Sequence, residues 1–235
     1  MNVSSSREIV LERIRAATAG SAERNAGAAD GKAAEAHAEI PREYLRQGQM
    51  SASARCQRFV ERLREYDAEV VECEPGELPA TITAVLAASG RHRFVAPPGI
   101  PPEWYVEAAW KIAGFACTFD HGLEIREIEQ AEGVLTACFC GVAESGTIVL
   151  HHGPAEGRRV LSLLPDWHLC VVRRSQVVET LPEYFDRSAN SEPRAEALPK
   201  LVTWIAGPSA TADIEMTRIK GVHGPRFLNV IVVRD

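Results

Sequence analysis

The stretch AESGTIVLHHGPAEGRRVLSLLPDWHLCVV, Ala143–Val172, decides the fold class. Its TIVL run, Thr147–Leu150, is short and apolar and reads as a strand. Gly153, Pro154 and Gly157 then make a loop, and Gly157–Leu164 reads as the helix that this loop opens. WHLCVV, Trp167–Val172, reads as the next strand. Strand, helix and strand in succession is the unit from which parallel sheets are built.

The rhythm extends in both directions. Toward the N-terminus, AEVVEC (Ala68–Cys73), HRFVAPP (His92–Pro98) and GFACTF (Gly114–Phe119) read as strands. Leu78–Ala88 and Pro102–Ile112 read as the helices between them, the second with proline near its N-terminus, where the missing N–H costs nothing. GVLTACFCGVA (Gly133–Ala143) is apolar throughout, and period alone leaves strand and short helix open. Toward the C-terminus, Ser175–Phe185 reads as a helix with Val177, Leu181 and Tyr184 aligned, Arg187–Pro199 as a surface connection, and LVTWIAG (Leu201–Gly207) and FLNVIVV (Phe227–Val233) as strands. The expected fold is α/β: a three-layer parallel sheet with helices on both faces, over residues 51–235. Residues 1–50 are expected to hold an N-terminal helix (Ser6–Ala17), a flexible Ala- and Gly-rich linker (Gly20–Ala38) and an arm or short helix at Ile40–Gln47. A helix at Ser51–Tyr66 places Phe59, Leu63 and Tyr66 on one face.

Composition narrows the function classes. The chain has 235 residues, 46 % hydrophobic and 25 % charged, enough for a sizeable core. Its net charge of −6 argues against non-specific nucleic-acid binding, which needs cations to displace phosphate counterions. The six cysteines are scattered through apolar runs and read as reduced and buried. No signal peptide is read at the N-terminus, and no apolar run reaches the roughly 18–20 residues that span a bilayer, so a cytoplasmic protein is expected.

Polar and glycine residues gather at three strand ends, and ligand sites of parallel α/β sheets lie at the carboxyl ends of strands. In the first segment, Ala143–Arg159, Arg158 and Arg159 fall in the first turn of the expected helix, where cations oppose the helix dipole unless an anion is held. Solvated surface arginines are the plainer alternative. The second segment, AGPSATADIE (Ala206–Glu215), leads from a strand into an expected helix, with Ser209 and Thr211 as caps whose backbone could cradle phosphate or carboxylate. The third, RIKGVHGPR (Arg218–Arg226), joins His223 and Arg226 to two glycines. Glu144, set among Ser145, Gly146 and Thr147, is the candidate for chemistry as nucleophile or base, weighed against a buried structural carboxylate. The candidate ligand set around it is Ser145, Gly146, Thr147, Arg158, Arg159, Gly207, Ser209, Ala210, Thr211, Asp213, His223, Gly224 and Arg226, receiving a small anionic metabolite. His168 reads as a hydrogen-bonded core histidine. His151 and His152 would point to opposite faces of a strand, a poor metal pair. Cys138 and Cys140 lack a second thiol pair, so no metal or iron–sulfur site is expected in this chain. GxGxxG, GxxxxGK[ST] and GxSxG are all missing.

AESGTIVL, GPAEGRR, LLPDWHLCVV, GPSATADIE and GVHGPR, in this order, resemble the lactate-utilisation protein C family, single-domain members of the LUD (formerly DUF162) superfamily. SREIVLERIR and IPREYLRQG near the N-terminus are similar to that family as well. The resemblance implies a NagB/RpiA/CoA-transferase-like fold and a role in oxidising L-lactate to pyruvate beside iron–sulfur partner proteins, which would carry the clusters. It also implies a parallel with CoA-transferases, whose catalytic glutamate sits among small residues as Glu144 does. A stand-alone enzyme on a CoA-linked or phosphorylated metabolite, and a non-catalytic metabolite-binding module, are the alternatives.

Overall fold

The structure is a computed structural model and describes residues 7–8, 10–17, 44–105, 107–190, 199, 201–211 and 219–235. The chain divides into two units, Met1–Tyr44 and Leu45–Asp235. In the first, the described residues 7–8 and 10–17 are helical, as expected for Ser6–Ala17. The linker reading at Gly20–Ala38 lies outside the described residues. Of the arm at Ile40–Gln47, the described residues Tyr44–Gln47 are not helical.

The second unit opens with helix α1, Ala52–Glu65, capped by Ser51, whose side chain accepts the Ala54 N–H at 3.2 Å. Cys56, Phe59, Val60 and Leu63 recur at helical spacing and are buried, whereas Tyr66, expected on the same face, is exposed beyond the last turn. Then follow β1 (Glu69–Cys73), α2 (Leu78–Ala88), β2 (Arg93–Ala96), α3 (Glu107–Ile112), β3 (Ala116–Phe119), α4 (Ile125–Glu129) and β4 (Gly133–Thr136). Next come β5 (Cys140–Val142), β6 (Thr147–Leu150), β7 (Trp167–Arg173), β8 (Val177–Val178), α5 (Leu181–Ala189), β9 (Thr203–Ile205), β10 (Ala210–Thr211), β11 (Ile219–Lys220) and β12 (Phe227–Val233).

Six strands form an all-parallel sheet in the order β1-β12-β7-β4-β2-β3. Its four inner strands, β12, β7, β4 and β2, are buried on both faces and therefore read as continuous apolar runs, whereas the edge strands β1 and β3 alternate. Phe94, Leu135, Trp167, Leu169 and Ile231 point to one face, where α2 and α3 pack through Leu78, Ile82, Leu86 and Trp110. Their sequence neighbours Cys170, Val172, Val230 and Val232 point to the other, against α1. Residues of α4 and the 159–162 turn close that second face over β2 and β4, through Ile128 and Leu161. The expected α/β sheet with helices on both faces is what forms.

A second sheet was not expected. TIVL and LVTWIAG lie outside the parallel sheet, in a four-stranded layer of order β8-β5-β6-β9. The stretch Gly133–Ala143 is two strands, one in each sheet. β5 and β6 are joined by the turn Ala143–Gly146, long enough for an antiparallel hairpin and far too short for a parallel crossover. Gly146 closes that turn at φ +64°. This layer also packs on α1: a Cβ on Gly141 would lie 2.7 Å from the Phe59 ring.

Several local readings are corrected. Gly157–Leu164 is no α-helix: Gly157 sits at φ +73°, only a 3-10 turn follows at Arg159–Ser162, and Pro165 ends the run. Arg158 and Arg159 therefore do not sit in an α-helical first turn. Ser175–Phe185 splits because Val177 and Val178 pair with Gly141 and Val142, and the helix starts only at Leu181, behind a Thr180–Glu183 capping box. That helix runs to Ala189, into the expected surface connection; residues 191–198 lie outside the described residues. Pro102–Ile112 is a 3-10 turn, Pro102–Trp104, and then α3. After Gly207 comes a strand, β10, paired with β11, so no helix starts at Ser209; residues 212–218, onto which the helix expected after Thr211 would fall, lie outside the described residues. All six cysteines are free, and five are buried. Among the described residues, no helix is long and apolar enough to cross a membrane.

Candidate functional site

The loops around β9 and β12 enclose a cavity of about 170 Å³. Its walls are Thr203–Ser209, His223–Pro225 and Ser162–Leu163, and His168 and Leu228 form its floor. Gly207 turns the first wall at φ +92°, where a Cβ would lie 2.6 Å from the Tyr66 carbonyl oxygen, so the close approach to α1 requires glycine. Ser209 ties the loops together. Its N–H donates to the Pro225 carbonyl at 2.8 Å, its carbonyl accepts the Gly221 N–H at 2.9 Å, and its Oγ accepts the His223 N–H at 3.1 Å. His168 and Leu228 are second residues of β7 and β12, so the cavity opens at the amino ends of those strands and not at their carboxyl ends.

His168 is 1 % exposed, and its Nε2 lies 2.8 Å from Thr136 Oγ1. Burial pushes it down to about 4, so the ring is neutral at physiological pH. A second histidine supports the wall from behind. His152, at φ +59°, contacts the Gly157 carbonyl through Nδ1 at 2.9 Å and Thr203 Oγ1 through Nε2 at 2.8 Å. A carbonyl only accepts, so Nδ1 donates to Gly157, which fixes the ring's orientation toward Thr203. His151 turns away, stacking on Phe139 at 3.7 Å and meeting the Tyr184 hydroxyl at 3.0 Å, and burial lowers its affinity for a proton. Glu156 accepts the His151 N–H, and burial raises its carboxyl.

The structure gathers Gly207, Ser209, His223 and Gly224 around this cavity and leaves the other described candidates elsewhere. Glu144 and Ser145 are exposed on the β5–β6 turn; the Glu144 N–H donates to the Glu179 carbonyl at 3.0 Å. Ser145 Oγ bonds Thr147 Oγ1 at 2.8 Å, and Gly146 is pressed against Arg62 of α1. Ala210 and Thr211 belong to β10, and Asp213 lies outside the described residues. Arg226 forms a two-pronged pair with Asp166 at 2.6 and 2.9 Å. Arg159 is exposed on the 3-10 turn, and Arg158 pairs with Asp120 through two bonds of 2.7 and 2.6 Å. The carboxylate of Asp120 is only 2 % exposed, and Arg158 holds it below the usual carboxylate range. Replacing Arg158 with alanine is therefore expected to cost about 1–3 kcal/mol in urea unfolding, by stranding a charged acceptor, and to leave ligand binding in the cavity unchanged.

Thr203, Ser162 and His168 were missed as wall and floor. The one sequence signal for His168 was an imidazole in an otherwise apolar strand, WHLCVV. Among the described residues, no group of three or more His, Cys, Asp or Glu is placed to hold a metal ion.

Comparison with known proteins adds an independent finding. A family model described as LUD domain matches residues 56–233. Lactate utilization protein C of Deinococcus radiodurans is 41 % identical over 176 residues, covering 74 % of this chain and 77 % of that protein. Lactate utilization protein C of Bacillus subtilis is 38 % identical over 117 residues, covering 49 % of this chain and 48 % of that protein. A crystal structure of a DUF162 family protein from Deinococcus radiodurans superposes with a TM-score of 0.63 at 35 % identity, covering 79 % of this chain and 99 % of that one.

Proposed function

This chain belongs to the LUD domain family, and from that premise we propose that it serves lactate utilisation, with the cavity between the 207–209 and 223–225 loops as the seat of a small hydroxy or oxo acid. One observation carries the reading. The cavity, at about 170 Å³, falls below the roughly 300–1,000 Å³ of sites for larger ligands, yet it brings Ser209, His223 and the neutral His168 to one small space. Hydroxyl and imidazole groups suit a ligand with one carboxylate and one hydroxyl or carbonyl oxygen. The curated relatives named for lactate utilisation support the choice. Oxidation of lactate to pyruvate releases two electrons and two protons, and we assign the electrons to iron–sulfur partner proteins, with this chain holding the acid.

Calorimetric titration of the full chain with L-lactate and with pyruvate tests this. Replacing His223 with alanine is expected to weaken binding about tenfold or more, the effect of one lost hydrogen bond to a charged group. Ser209→Ala is expected to act similarly, and Glu144→Gln to leave binding intact. Absence of binding by either acid, or equal affinity in the His223 and Ser209 variants, removes the cavity from the function. Binding lost with Glu144→Gln would instead place the site at the β5–β6 turn.

A further inference from the structure

A larger cavity, about 510 Å³, opens at the opposite end of the parallel sheet, and nothing in the lactate reading uses it. It sits where β1, β7 and β12 end: Glu72 lies near the end of β1, Arg174 directly follows β7 and Arg234 directly follows β12. Arg64 joins them from α1, and Cys56 and Val60 contribute an apolar side. Carboxyl ends of parallel strands are where α/β sheets commonly hold ligands. Leu228 on the floor of the first cavity and Arg234 here are six residues apart along β12, roughly 20 Å at strand rise.

The charges of this cavity do not cancel. Glu72 is taken by Arg234, whose Nη2 and Nε donate to its Oε2 at 3.0 and 3.2 Å. The other wall carboxylate, Glu61, accepts from Gln57 at 3.0 Å and lies 3.7 Å from Arg58. Arg64 donates to the Val70 carbonyl at 3.2 Å, and Arg174 donates to the main-chain oxygen of Asp235. Among the described residues, neither Arg64 nor Arg174 has a side-chain carboxylate partner within salt-bridge distance. Two guanidinium groups from separate elements thus reach one space with no side-chain ion pair of their own, each steadied by a main-chain oxygen that uses one of its five donors. A guanidinium fork matches the paired oxygens of phosphate and carboxylate alike.

We propose that this cavity is a second ligand site, distinct from the one that takes the small acid, and that it binds a multiply charged anion bearing phosphate or several carboxylates, gripped by Arg64 and Arg174. Its volume admits a ligand much larger than a three-carbon acid.

Calorimetric titration of the full chain at low salt with inorganic pyrophosphate and, separately, with citrate tests the proposal. At least one probe is expected to bind, and affinity is expected to fall as salt rises. Binding of pyrophosphate alone assigns the site to phosphate, and binding of citrate alone assigns it to carboxylates. Arg64→Gln and Arg174→Gln are each expected to weaken the effective probe at least tenfold, with Arg93→Gln, remote from the cavity, unchanged. Arg64 is exposed, so Arg64→Gln is expected to fold, and an unchanged far-ultraviolet circular dichroism spectrum and urea midpoint separate lost binding from a misfolded variant. Neither probe binding, or probes binding both arginine variants as they bind the wild type, overturns the proposal. Lactate and pyruvate titrations of the same variants are expected to be unchanged, so failure at one cavity is read separately from failure at the other.

Discussion

Replacing Trp167 with alanine is expected to remove about 3–5 kcal/mol of stability, the cost of truncating a buried aromatic, out of the 5–15 kcal/mol that holds a typical domain together. Trp167 is 2 % exposed at the start of β7, near the centre of the parallel sheet. Its ring meets Phe94 at 5.8 Å, and the sheet is shaped to receive it: a Cβ on Gly133 would fall 2.6 Å from its Cε3. Its Nε1 donates to Asn229 Oδ1 at 2.7 Å, and Asn229 passes the chain on to Glu69 at 2.6 Å, linking β7, β12 and β1. Truncation thus opens a cavity and strands a nearly buried amide oxygen. Trp167→Phe keeps most of the ring and loses only the hydrogen bond, so about 1–2 kcal/mol is expected. Urea unfolding followed by far-ultraviolet circular dichroism checks both. Equal losses in the two variants would assign the effect to the hydrogen bond and not to packing.

The second large effect is on pH dependence and comes from His168. Its folded proton affinity is depressed to about 4 against an ordinary 6.5, so between those values the unfolded chain binds a proton that the folded chain refuses. The stability it contributes is present above pH 6.5 and is lost as pH falls toward 4. The full loss is about 3 kcal/mol, the free-energy equivalent of that difference in proton affinity. Other groups also titrate in acid. Asp120, Glu132, Glu183 and Asp235 are held low and add to the loss at lower pH, while Glu156, raised by burial, works against it. The informative quantity is therefore the difference between wild type and His168→Leu. The variant is expected to be less stable at pH 7, because Thr136 loses its partner, yet to fall less steeply between pH 7 and pH 4.5. Parallel curves for the two proteins would show that His168 does not set acid sensitivity.

Where burial dominates, the sequence was legible. Leu78–Ala88, Thr147–Leu150 and Phe227–Val233 form the elements expected of them at the expected residues. Apolar period sufficed there because each segment lies in or against the main core. It failed where pairing partners decide the outcome. The three-residue strands β5 and β9 carry too little pattern to reveal a second sheet, and Val177, Leu181 and Tyr184 fit a helical stripe that strand pairing of Val177–Val178 overrides. The Thr180–Glu183 capping box was the contrary local signal, and it marked the true start of α5. Part of the site was legible for the same reason. Gly207, Ser209, His223 and Gly224 were chosen as loop residues with backbone freedom, and they do meet. Glu144, Arg158 and Arg226 were chosen for charge, and charge alone does not say where a side chain is spent: two are spent on Asp120 and Asp166, and one faces solvent.

The neighbouring positions of β1 and β12 bear on how the chain is made. Glu69 pairs with Asn229 across almost the whole domain, and the position between β1 and β7 stays empty until β12 arrives. During vectorial synthesis, β1, β7 and α1 emerge from the ribosome with their inner faces uncovered, and the strand that seals them is translated after every other strand of this sheet. Closing so long a loop is slow relative to local structure formation. The nascent chain is thus expected to linger as an open, chaperone-dependent intermediate, and a stop codon ahead of Phe227 to yield insoluble protein instead of a shortened domain.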